Sequence, residues 1–166
     1  MFYDAKSIAN YFLELAAESG QRIDPIKIQK LVYYANGWYA GHTGGPLIDE
    51  PVEAWTHGPV IASLFHEFAR FGVKPIQRMA MRVISHTLVA VEPPEDPTLR
   101  AFLRNIWDEY GTLSEAKLHR LTHHTNSPWW KVRQTAHGMK TADIPFDTIL
   151  QHFEPLAKTV REEATQ

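Results

Sequence analysis

The sequence predicts a mainly α-helical, compact single-domain protein with one small antiparallel β element, about residues 52–56 paired with part of 79–91. Three observations predict it. Apolar residues recur at steps of three and four along most of the chain, the period of a helix face. Asp-Pro, Ser-Pro and Gly signals bracket those periodic runs, where helices are capped and stopped. Only VEAW and MAMRVISHTLVAV replace that period with extended, β-branched segments.

The first helix is read from Asp4 to Ser19, with Asp4 as N-cap, Ile8, Tyr11, Phe12, Leu15 and Ala16 on one face, and Gly20 as its stop. Asp24-Pro25 opens the second. Ile28, Leu31, Val32, Ala35, Trp38 and Tyr39 form its core stripe, Tyr33 and Tyr34 widen it, and Lys27, Lys30 and Asn36 fall mainly off it. Gly41 to Pro46 is a loop. LIDEPVEAW is extended, with Trp55 expected in the core. Gly58-Pro59 turns the chain into a third helix beginning at Pro59, with Ile61, Leu64, Phe65, Phe68 and Ala69 inward and Gly72 as terminator.

Residues 73–92 carry one or two short strands, and PPEDP is a turn rather than a domain boundary, since either half alone would have a thin core. Asp96-Pro97 caps a helix with Leu99, Phe102, Leu103, Ile106 and Tyr110 inward and Gly111 as its stop. Ser114 caps EAKLHRL, placing Leu118 and Leu121 inside, and Ser127-Pro128 starts PWWKVRQTA. HGMKTAD is a polar loop. The last helix, FDTILQHF, ends or kinks at Pro155.

At 166 residues the chain fits one domain, 1–166, and 44% hydrophobic with 22% charged residues is an ordinary globular balance. Without cysteine there is no disulfide and no thiolate metal site. The N-terminus lacks a basic region followed by an apolar core, and no apolar run approaches the roughly 18 residues of a membrane span, so a cytoplasmic location with no membrane partner is expected. A net charge of −2 makes nucleic acid an unfavoured partner.

No nucleophile elbow, phosphate-binding glycine loop or dinucleotide fingerprint occurs. Nine histidines invite a metal. His119 and His123 stand at i, i+4 as in a zinc-binding helix, which leaves a metal-assisted hydrolase as the alternative function, but Arg120 occupies the place of the general-base glutamate. Adjacent His66 and Glu67 point about 100° apart on a helix and do not converge on one proton. Asp49, Glu50 and Glu53 read as a solvated acidic loop. Trp129 and Trp130 cannot both face the core from one helix, so one is expected to be more exposed, either to bind a partner or to pack on a neighbouring loop.

Three stretches in order, KIQKLVYYANGW, PLIDEPVEAWTHGPVIASLFHEF and LSEAKLHRLTHHTNSPWWKVR, resemble the Panacea domain family, the SocA-like antitoxins also described as phage-associated GepA-like proteins. The resemblance rests on Lys27, Gln29, Lys30, Leu31, Tyr34, Gly37 and Trp38, on Glu53, Ala54, Trp55, Gly58 and Pro59, and on Leu113, Ser114, Leu118, Thr122, His123, Ser127, Pro128 and Trp129. It runs from roughly Asp4 to Phe153, and residues 73–97 carry no part of it. It implies a mainly helical fold with a small β element near the EAW-x-x-GP motif. It also implies an antitoxin, not an enzyme, that neutralises a cognate protein toxin encoded beside it by direct binding. One similar branch acts instead as an adaptor delivering its toxin to a AAA+ protease. No cofactor, metal or catalytic residue carries over. The candidate partner-binding or motif residues are Trp55, His57, Gly58, Pro59, His123, Trp129 and Trp130, although His57 stands where the family commonly has another polar or aromatic residue.

Overall fold

Helix α2, Pro25–Thr43, is the axis of the structure, a computed structural model that describes residues 1–166. Asp24 caps it by accepting from the Lys27 amide at 2.8 Å, and Pro25 fills the first turn. The helix is buried on nearly every side, which is the environment its aromatic-rich sequence demands. Lys30 and Asn36, expected off the core face, are 6% and 3% exposed, whereas Trp38 and Tyr39 are only partly covered. A solitary amphipathic stripe was the wrong picture, because neighbours pack against α2 from several directions.

Helix α1, Ala5–Glu18, and helix α4, Pro97–Tyr110, cover one part of that surface. Helix α7, Phe146–Ala164, lies along another. The α2–α7 approach explains two glycines. A Cβ on Gly41 would sit 2.7 Å from the Phe153 carbonyl oxygen, and one on Gly37 would enter the Phe153 ring. Each glycine costs about 1 kcal/mol of helix propensity relative to alanine, and the fully buried Phe153 fills the space so created. The same contact carries α7 on past Pro155, so the proline does not end the helix. The missing N–H leaves the helix one bond short, yet Ala157 beyond the proline is completely buried.

The mainly α expectation holds, with seven helices surrounding one continuous cluster of thirty buried residues. The strand pairing differs from expectation. β1, Val52–Trp55, is the centre of a three-stranded sheet between β2, Gly58–Val60, and β5, Asp143–Ile144. β3, Met81–Ile84, and β4, Thr87–Ala90, pair only with each other. Residues 79–91 therefore do not join 52–56; Asp143, the last residue of the supposed polar loop 137–143, and Ile144 after it take that place.

Pro59 lies in β2 opposite Ala54, not at a helix start. β2 is an edge strand, where a residue without an N–H leaves no ladder bond unmade. Helix α3 accordingly spans Ala62–Phe68, and Glu50 from the preceding loop accepts from both the Ser63 amide and its hydroxyl. Phe65 and Ala69 face outward, as does Leu121 of helix α5, Glu115–His123, where the sequence had placed them inside. Helix α6, Pro128–Thr135, completes the set. No helix is long and apolar enough to cross a membrane.

Candidate functional site

Three pieces of chain meet beside the first sheet: the tight turn Thr56-His57 between β1 and β2, the C-terminal end of α5, and the first turn of α6. Ser114 caps α5 through the Lys117 amide, and Ser127 caps α6 through the Trp130 amide. The Ser127 hydroxyl also donates to the Thr122 carbonyl at 2.9 Å, so one side chain closes α5 and opens α6. That junction aims Trp129 back at the sheet. Its indole N–H donates to the Trp55 carbonyl at 2.7 Å, and Arg133, one turn on, reaches the Ala54 carbonyl at 3.3 Å.

His123 sits inside this corner. Its ring stacks on His119 at 3.7 Å between centroids and lies 4.1 Å from the Trp129 ring. Nδ1 donates to the His119 carbonyl at 2.8 Å, which leaves the lone pair on Nε2. Nε2 is buried without a hydrogen-bond partner of good geometry. Gly58 permits that close approach. Its φ of +135° disfavours any side chain, and a Cβ there would lie 3.0 Å from the His123 ring. Burial pushes the His123 pKa below the ordinary histidine value; the His119 carbonyl and the His57 backbone oppose that shift, and the charges of His119 and Lys30 add to it.

Six of the seven candidates thus meet in one corner with defined positions. Trp55 is not in the core as expected. Ala54 takes the buried position, while the Trp55 ring lies half-covered on the other face, 4.7 Å from Phe65, its N–H donating to Glu53. His57 is exposed at the turn, Gly58 and Pro59 are buried, and Trp129 and Trp130 are both half-buried. Trp129 packs on the buried cluster and bonds to the sheet, whereas Trp130 does neither, although it too is partly covered. Trp130 has no side-chain bond linking it to the corner.

The metal alternative finds no assembled ligand set. His123 directs Nδ1 to a backbone carbonyl, and nowhere do three His, Cys, Asp or Glu side chains converge as an ion would require. Glu50 and Glu53 point to separate partners, Ser63 and Trp55.

The sequence reading missed the buried polar residues that hold the frame. The Gln29 amide pairs with both the N–H and the carbonyl of Ile61, at 2.9 and 3.0 Å, and the Asn36 oxygen accepts from the Leu47 amide at 2.9 Å. Lys30 is buried without an ion pair or hydrogen bond. Burial lowers its pKa, against the opposing charges of Glu115 and Asp24. Polar residues standing within an otherwise apolar, aromatic helix were the available signal.

These features define a helical protein whose surface corner offers aromatic rings and imidazoles on a hydrogen-bonded frame. The family model "Antitoxin SocA-like, Panacea domain" matches residues 28–130. Antitoxin SocA of Caulobacter vibrioides is 30% identical over 128 residues, covering 76% of this chain and 68% of that protein. The chain belongs to the SocA-like Panacea antitoxin family. No solved structure matches it.

Proposed function

We propose that this chain is a single-domain antitoxin that neutralises a cognate protein toxin by direct binding. The observation that carries the reading is the family match across residues 28–130, which takes in most of α2, the strands β1 to β4, α5 and the first residues of α6. Supporting it, the corner has the makings of a protein contact. Trp55, Trp129 and the exposed His57 present rings on a backbone already fixed by hydrogen bonds, Gly58, Pro59 and His123 hold that backbone in place, and the partly exposed Trp130 ring stands beside them in the first turn of α6. Rigid aromatic anchors carry much of the energy in interfaces that bury about 800 Å² per partner.

The test is co-expression with the product of the adjacent gene. Rescue of growth and a co-purifying complex are expected, and Trp130→Ala, which leaves the Trp129–Trp55 bond intact, should weaken the complex roughly tenfold or more if the corner is the contact. Neither rescue nor complex from the wild-type pair would end the antitoxin reading. Delivery to a AAA+ protease is a finer version of the same function. It predicts that toxin level falls in the presence of the antitoxin only while the protease is active, whereas simple masking leaves toxin level unchanged.

A further inference from the structure

We propose that the β3–β4 hairpin and the groove at its base form a second docking surface, and that its occupant is an acidic segment of the toxin bearing apolar side chains. The inference rests on the antitoxin reading and goes beyond it by assigning a surface and the chemistry of what covers it.

The hairpin is built to project. Ser85 and His86 turn it with φ of 48° and 65°, the positive values of a two-residue type I′ connection, here without glycine. Its register places Val83 opposite Leu88 and Met81 opposite Ala90, so these four share one face. Val83 is 68% and Leu88 60% exposed, and Ile84 on the opposite face is 51% exposed. Isolated two-stranded hairpins are marginal in water, and this one borrows stability at its root. Asn10, fully buried in α1, accepts from the Ala80 amide at 2.6 Å and donates to the Ala80 and Val91 carbonyls. Lys6 and Glu67 hold the Met81 carbonyl and amide. The base is fixed, and the apolar tip has no partner within the chain.

Charge indicates what that partner carries. Residues 68–91 contain Arg70, Lys74, Arg78 and Arg82, four of the chain's seventeen lysines and arginines, and none of its nineteen acidic residues. The remainder of the chain carries thirteen basic against nineteen acidic residues, so the sign reverses locally. A groove of about 500 Å³ opens where β3 begins, with Leu13, Ile76 and Met79 in its wall and Arg22 beside them; Arg78, also in the wall, already lies 3.9 Å from Glu67. An apolar side chain can enter the groove while a neighbouring carboxylate meets a guanidinium, and such pairing favours bidentate contacts. Cationic rim charges also steer an acidic partner toward the surface.

The experiment uses the full chain and the toxin encoded beside it, with Val83→Ser/Leu88→Ser and Arg82→Glu as separate variants. Each is expected to bind toxin at least tenfold more weakly with thermal stability retained, and wild-type binding should weaken as salt rises. A wild type that protects and co-purifies, with both variants binding equally well, overturns this surface and leaves the antitoxin reading standing. A wild type that does neither removes both. Two other results also overturn the proposal: RNA retained by the wild type and lost from Arg82→Glu, or a wild-type dimer that the serine pair dissolves.

Discussion

The two β pairs of this protein are nearly the same length and opposite in character. β1, β2 and β5 are pressed between helices: Val52, Ala54 and Ile144 are buried, and the carbonyls of Ala54 and Trp55 are claimed by Arg133 and Trp129. β3 and β4 hang from Asn10 with most of both faces in solvent. Strand propensity does not explain the contrast, since MRVI and TLVA are richer in β-branched residues than VEAW and GPV. What differs is the anchoring. The first sheet is held along its length by packing, and the second is held only at one end, chiefly by the Asn10 carboxamide with Lys6 and Glu67 beside it.

Asn10→Ala tests that distinction most severely. It strips the buried Ala80 and Val91 backbone of the bonds that Asn10 makes, and each unsatisfied buried group costs about 1–3 kcal/mol. A loss of about 3 kcal/mol is expected in urea unfolding, with hydrogen exchange accelerating first in 81–90; uniform acceleration across the chain would mean that the hairpin is not separately anchored. Gly58→Ala attacks the other sheet. Backbone strain of order 1–3 kcal/mol plus contact with the His123 ring should lower stability by about 2 kcal/mol, read as a drop in Tm. The hairpin amides should be spared.

Acid should trouble the first sheet's corner too. The folded His123 has a lowered pKa, so below the ordinary histidine value the unfolded chain binds a proton that the folded chain resists. Stability is therefore expected to rise with pH from about 5 to 7, with His42 and His152 acting in the same direction because burial lowers them as well. Denaturation at several pH values should show a shallower slope for His123→Phe; an unchanged slope would exclude His123 from the effect. The smallest change belongs to Val83→Ser/Leu88→Ser, expected to shift stability by no more than about 0.5 kcal/mol per site, as for solvated surface residues. A larger loss would mean that the hairpin tip packs on something within the chain.

Helix boundaries were largely legible because their signals are local. Asp4, Asp24, Asp96, Ser114 and Ser127 each cap the helix the sequence assigned to them. The start of α3 was misread because Pro59 satisfies helix entry and edge-strand geometry equally well, and only the pairing with Ala54 separates the two. Of the candidate corner, the residue identities could be read from the motifs, but their meeting could not. Trp129 and Trp55 are far apart in the chain, and nothing local forecasts a 2.7 Å bond between them.

The sequence by itself determined the helical class, the caps, much of the apolar core and the motifs that mark the family, since each depends on residue type and spacing within a few turns. Tertiary structure alone decided which strands pair, that α7 runs through Pro155, that Trp55 turns outward, and that Asn10, Gln29 and Asn36 become internal ties. The reason lies in the range of the forces: caps and periodicity act over four residues, whereas a buried amide or an edge strand must find a partner that only the folded chain brings within reach.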